Sequence, residues 1–251
     1  LWLHTLYENF LRGQKMKMHN ILVTGASKGI GNVIAKELLQ LGNVFISGRN
    51  ENALKSFGAK SYCVCDLAEN PEILGDFIER NKIDILINNA GEYIYGGIEK
   101  MTMADIDRIH KTNLTAPAYL VSRAVPYMKN IKFGRIINIG SISGVMGEAN
   151  ASLYSSSKAG LCGLTKALAL ELAEFGITVN TINPGWVETN LGCDSIEQSE
   201  FSKDEIVDCI PQKRFVEPVE IARLVKYLIS DDARGLTGQG INLCAGLSVG
   251  I

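Results

Sequence analysis

The 251-residue chain is 46% hydrophobic and 21% charged, which supplies enough apolar surface for a sizeable core and excludes a disordered chain. Its 25 Lys+Arg against 27 Asp+Glu leave a formal charge of -2 with no block of like charge, so the concentrated basic field of a nucleic-acid binder is missing. No run approaches the ~20 apolar residues of a membrane span. The six scattered cysteines form no CxxC pair and histidines number three, which points to free thiols in a reducing, cytoplasmic setting with little raw material for a metal site.

Residues 1–18 (LWLHTLYENFLRGQKMKM) precede the first strand, and Met16 and Met18 stand immediately before it. They read as an N-terminal extension, with a short docking helix as the competing reading, ahead of one domain over 19–251. From residue 20 short Val/Ile-rich runs alternate with helical patterns. The runs are ILVT (21–24), VFIS (44–47), YCVC (62–65), IDILIN (83–88), RIINI (135–139), ITVNTI (177–182) and GINLCA (240–245). Strands of this kind, without strict polar alternation, belong to a sheet covered on both faces. Helical stretches near 30–41, 71–80, 102–111, 114–129, 153–175 and 217–230 lie between them. Strand, helix and strand repeated in this way predict an α/β fold: a doubly wound parallel sheet of about seven strands with helices on both faces. The irregular stretch from Asn190 to about Arg214 is a candidate substrate lid, a plain surface connection being the alternative.

Thr24-Gly25-Ala26-Ser27-Lys28-Gly29-Ile30-Gly31 follows the first strand and opens the first helix. Gly25, Gly29 and Gly31 permit a tight turn and close backbone approach, and the helix N-terminus offers unpaired N–H groups to a pyrophosphate. The spacing is TGxxxGxG rather than GxGxxG. Cofactor choice is read at the end of the second strand, where a carboxylate would accept from the ribose 2'-hydroxyl of NAD. Here the strand ends Ser47-Gly48-Arg49-Asn50, with no carboxylate before Glu51. Arg49, with Lys28 as a second cation, suits a 2'-phosphate and predicts NADP(H); a solvated loop arginine is the alternative.

Tyr154 and Lys158 stand at i,i+4 in YSSSK and face the same way. An ammonium ~6 Å from a phenol, at an effective dielectric of about 20, favours the phenolate by about 3 kcal/mol, or about two pKa units. One lysine is thus expected to bring the tyrosine near working range. Ser141 lies just past RIINI, and Ser143 is a second candidate hydroxyl.

TGASKGIG (24–31), Asn88-Asn89-Ala90-Gly91, Asn113 in KTNL, Ser141, YSSSK (154–158) and Pro184-Gly185 occur in an order and spacing that closely resembles the short-chain dehydrogenase/reductase family over about residues 19–251. Within it, GSISGVMGEANASLYSSSKAGLCGLTKALALEL and LTGQGINLCAGLSV look most like the 3-oxoacyl-[acyl-carrier-protein] reductases. The resemblance implies a Rossmann-type fold and NADPH-dependent reduction of a carbonyl. In it Ser141 holds the carbonyl, Tyr154 donates the proton, Lys158 binds the nicotinamide ribose and lowers the tyrosine pKa, and Asn113 positions a relay water. Gly25, Ser27, Ile30, Arg49, Asp66, Leu67, Asn89, Ala90 and Gly91 match cofactor positions, Asp66 facing the adenine, and Val187 and Thr189 match positions beside the carboxamide. Asn113 as an N-cap, Asn88 and Asn89 as closers of a βα turn, and Pro184-Gly185 as a plain chain reversal remain the structural alternatives.

An acyl carrier protein is acidic, and Lys129, Lys132 and Arg135 are the candidate cations for it at the site entrance. Members of the carrier-protein group often have a basic residue where this chain has Phe175. Reductases of small alcohols, sugars, steroids or quinones share the same catalytic residues, so fold and motif leave them open. Enoyl reductases space Tyr and Lys further apart, and a non-enzymatic NADP-sensing protein has no need of Ser, Tyr and Lys together. The stretch Leu153 to Phe175 is apolar on most sides, which with the family resemblance implies a homotetramer.

Overall fold

The computed structural model describes residues 18–189, 196 and 202–249. Residues 1–17, including nearly all of the N-terminal extension, and most of 190–201 lie outside this set, as does Cys193. Seven parallel strands form one sheet in the order β3-β2-β1-β4-β5-β6-β7. They are β1 (His19–Val23), β2 (Gly42–Gly48), β3 (Ser61–Val64), β4 (Ile85–Asn88), β5 (Gly134–Ile139), β6 (Ile177–Pro184) and β7 (Gly240–Leu243). All seven predicted runs are strands, and the doubly wound prediction stands.

The helices are α1 (Gly29–Leu38), α2 (Glu51–Lys55), α3 (Pro71–Arg80), α4 (Met103–His110), α5 (Ala116–Ile131), α6 (Ser143–Met146), α7 (Ser152–Leu172), α8 (Lys203–Cys209) and α9 (Pro218–Leu228). Successive strand residues divide between two cores. Ile21 and Val23 of β1, Ile85 and Ile87 of β4 and Ile137 and Ile139 of β5 pack with α1 and α9. Leu22, Leu86 and Ile136 pack on the opposite face with α3, α5 and α7. A sheet buried on both faces therefore explains why the sequence runs showed no polar alternation.

Three expectations about the chain path change. First, α4 and α5 are joined without a break by a π-helical turn, Lys111–Thr115, so Asn113 sits inside a continuous helix and is not an N-cap. Second, the stretch 190–214 is not wholly irregular: Ser202 and Glu205 form a capping box that starts α8. Third, α2 and α6 were missed because a helix of one turn is too short to show a period. Strand β1 pairs with β2 on one side and β4 on the other, so the order reverses at β1 and leaves a crevice at the carboxyl ends of β1 and β4. Among the described residues no helix is long and apolar enough to cross a membrane.

Candidate active site

A cavity of about 1060 Å³ opens over that crevice, at the upper end of the roughly 300–1,000 Å³ of ligand pockets. Gly25, Ser27, Lys28, Gly29, Ile30, Arg49, Asp66, Leu67, Asn89, Ala90, Gly91, Ser141, Tyr154, Lys158, Pro184, Gly185, Val187 and Thr189 all line it. Gly31 and Asn113 stand behind the wall. A Cβ at Gly31 would collide with Asn89 Nδ2 and come within 2.6 Å of Gly25 O. Gly31 therefore lets the loop pack rather than facing the cavity. Gly25 takes φ +66, and a Cβ there would lie 2.8 Å from Ala90 Cα, so the close approach of the two loops requires glycine.

The Asn89 side chain serves this packing. Its Nδ2 donates to Thr24 O at 2.9 Å, while Thr24 Oγ1 accepts from the N–H groups of Asn89 and Ala90, each at 2.9 Å. Asn88 turns the other way and donates to Asn138 Oδ1 at 2.9 Å inside the sheet. Gly185 N–H donates to Leu243 O at 3.0 Å, tying the end of β6 to β7 at the cavity wall.

At the edge beyond β2 and β3 the expected residues are present but already engaged. Arg49 Nη1 lies 2.6 Å from Glu92 Oε1 and 3.7 Å from Asp66 Oδ2, with the arginine side chain 60% exposed. Arg108 of α4 reaches the same carboxylates, at 3.0 Å from Asp66 and 2.7 Å from Glu92. Asp66 is held below the usual carboxylate range against the upward push of its burial, by the Ala68 N–H and then by Arg108 and Arg49. Its oxygens thus answer to Ala68 and the arginines. Sequence reasoning missed Glu92 and Arg108, since nothing in local spacing brings α4 to the ends of β3 and β4.

The catalytic candidates converge at the other end. Tyr154 and Lys158 lie on one face of α7, with Lys158 Nζ 5.6 Å from the Tyr154 ring centroid. The expected fall in the tyrosine pKa does not occur. Burial pushes Tyr154 up to about 12, the nearby Glu148 carboxylate adds to the rise, and the Ser141 hydroxyl opposes it. The same burial lowers Lys158 to about 8. Surrounding low-polarity atoms destabilise both the phenolate and the ammonium. Tyr154 is accordingly protonated at neutral pH, as a proton donor must be.

Lys158 Nζ donates to Ile139 O at 2.8 Å. Asn113 is fully buried; it accepts from Glu92 N–H and donates to Glu92 O, each at 2.9 Å, and donates to Ser157 Oγ at 3.1 Å. A Cβ on Gly91 would lie 3.3 Å from Asn113 Oδ1 and 3.4 Å from Lys158 Nζ, so the amide and the ammonium flank one spot behind the wall. A π-helical turn at such a place is a frequent accompaniment of function. Ser143 is committed to Glu148, donating at 2.6 Å, which leaves Ser141 as the hydroxyl beside Tyr154.

The proposed entrance cations are elsewhere. Arg135 starts β5, is buried, and bonds Gly134 O and Gly176 O, at the end of the sheet opposite the cavity. Lys129 holds its ammonium 4.3 Å from the Phe175 ring centroid. Lys129 and Lys132 precede β5 and Arg135 lies near its start, whereas the cavity lies past the strand's carboxyl end.

A family model described as enoyl-(acyl carrier protein) reductase matches residues 25–248. The chain is 39% identical over 232 residues to the 3-oxoacyl-[acyl-carrier-protein] reductase FabG of Rickettsia conorii, covering 90% of this chain and 95% of that one. A crystal structure of a substituted actinorhodin polyketide ketoreductase with NADPH is 36% identical at TM-score 0.85, covering 92% of this chain and 98% of the other. A protein from Beutenbergia cavernae assigned as an NAD(P)-dependent gluconate 5-dehydrogenase, with bound NADP, is 29% identical at TM-score 0.85, covering 92% and 97%.

Proposed function

Because the chain belongs to the short-chain dehydrogenase/reductase family of oxidoreductases, we propose that it uses NADP(H) to reduce a ketone to a secondary alcohol, the substrate being the 3-oxoacyl group of an acyl-carrier-protein thioester. One observation carries this reading: a protonated Tyr154, with Ser141 at its hydroxyl and Lys158 by its ring, shares a single cavity with the glycine loop. The chain's residues fit a dinucleotide. Gly25 in its left-handed conformation brings backbone N–H groups to the cavity at the start of α1. Arg49, which pairs with Glu92 and Asp66 at the cavity edge, and Lys28 are the cations for a 2'-phosphate, the end of β2 itself carrying no carboxylate.

When bound, NADPH supplies a hydride to the carbonyl carbon. Tyr154 holds the carbonyl oxygen and passes it the phenolic proton, and Ser141 orients that oxygen. Lys158, brought to about 8 by burial, has a proton to return to Tyr154 near neutral pH. Three intervening residues between Tyr154 and Lys158 favour ketone reduction over the wider spacing of enoyl reductases. The acyl thioester is supported by the Rickettsia conorii relative. A second reading, a hydroxylated small-molecule ketone, is favoured by the similarity to the gluconate dehydrogenase. A homotetramer is supported by the outer face of α7, where Leu170 is 86% exposed.

The test is NADPH oxidation with an acetoacetyl thioester. Tyr154→Phe is expected to lower turnover by roughly 10²- to 10⁴-fold while leaving the NADPH dissociation constant nearly unchanged. Full activity in that variant overturns the reading.

A further inference from the structure

The substrate half of the cavity holds a carboxylate that the reduction itself does not require. Glu148 follows the single turn of α6, past Gly147, whose φ of +81 reverses the chain. Its Oε1 accepts from Tyr93 OH at 2.7 Å and its Oε2 from Ser143 Oγ at 2.6 Å. Both donors are neutral hydroxyls, and each oxygen retains lone-pair capacity for a further donor. The Tyr93 ring meets the Tyr154 ring edge-on, with centroids 5.0 Å apart and planes at 73°. Glu148 is therefore one aromatic ring away from the proposed proton donor, and its charge is felt there as an upward push on the Tyr154 pKa. Glu148 and Asn150 line the same cavity, and Asn150 Nδ2 donates to Tyr95 OH at 3.1 Å, extending the polar wall. Trp186, Ile206 and Leu247 supply apolar lining to the same cavity.

Resting on the ketone-reductase reading, we infer that Glu148 determines which ketones enter: it selects substrates that present an N–H, O–H or ammonium donor beside the reacting carbonyl and rejects those that present a carboxylate there. A donor gains a charge-assisted hydrogen bond, about twice as strong as a neutral one. A second carboxylate ~7 Å away, at an effective dielectric of about 20, is repelled strongly enough to lose roughly tenfold to fiftyfold in affinity. A sugar acid with its carboxylate near the ketone does not meet this requirement.

A matched pair of ketones on one carbon skeleton tests this, acetoacetamide against acetoacetate, assayed by NADPH oxidation with the full chain. The wild type is expected to favour the amide in kcat/KM by at least about tenfold. Glu148→Gln is expected to cut that preference about fivefold or more by raising kcat/KM for acetoacetate, while Glu148→Asp, which keeps the charge, retains it. An unchanged ratio in Glu148→Gln, or a wild type that prefers acetoacetate, overturns the inference. If neither ketone nor the acetoacetyl thioester is turned over, the reductase reading fails separately. Titration of the NADP+-loaded protein with the same two compounds, followed by Trp186 fluorescence, then decides the role of Glu148: tighter binding of the amide sustains it and equal affinities overturn it.

Discussion

Lys158 on the cavity floor and Arg108 at its edge are both cations near the same crevice, and their surroundings move them in opposite directions. Lys158 is buried, bonds Ile139 O, and falls to about 8. Arg108 lies among Glu92, Asp66 and Glu69, and its charged form is stabilised, first by the Glu92 hydrogen bond and then by Asp66. The floor excludes solvent and counter-ions, so charge there is held at a cost. The edge is open, so charges gather and satisfy one another, at little net energy because water and salt screen them. One part of the cavity thus holds a charge at a cost, and the other holds its charges in mutually compensating pairs.

The largest test of this contrast is Lys158→Met. The lysine's folded pKa of about 8 lies below the ordinary 10.5, so the unfolded chain binds more protons between these values and stability rises with pH across that window. Below pH 8 the whole penalty is present, on the order of 3 kcal/mol. Urea unfolding should find the variant more stable than wild type at pH 7, with the rise between pH 8 and 10 abolished; Tyr154, at about 12, contributes only above that interval. A difference in stability between variant and wild type that stays constant from pH 8 to 10 contradicts the assignment.

Next in size is Gly31→Ala, whose Cβ has no room against Asn89 and Gly25 O. Overpacking of this kind costs on the order of 1 to 3 kcal/mol, and both the thermal midpoint and NADPH affinity should fall. At the edge, Arg49→Glu should weaken NADPH by roughly tenfold to hundredfold and NADH far less; equal weakening would detach Arg49 from the 2'-phosphate. Smallest is Glu92→Gln. Releasing Arg49 from an exposed pair should tighten NADPH by no more than about fivefold, an effect that shrinks with added salt.

Legibility followed the same division. The glycine loop was readable because Gly25 and Gly31 answer to backbone sterics, which restrict residue type at fixed positions. Helical geometry put Tyr154 and Lys158 on one face, but only the resemblance of the combined motifs singled them out. Neither route gave the direction of the Tyr154 shift, because burial depends on how α7 lies against β5 and β6. Glu92 and Arg108 are 16 residues apart, and Tyr93 and Glu148 are 55 apart; no local pattern joins them.

The order of hydrophobic runs in this chain was enough to specify a doubly wound parallel sheet, since periodic burial acts over a few residues at a time, and the family was legible only as a resemblance of the combined motifs from the glycine loop to YSSSK and Pro184-Gly185. Which charges meet across the cavity, how far a buried ammonium loses its proton, and the placing of the Glu148 carboxylate on the cavity wall were decided only when distant segments packed together. Electrostatic energy depends on distance and on solvent exclusion, and neither exists until the fold is complete.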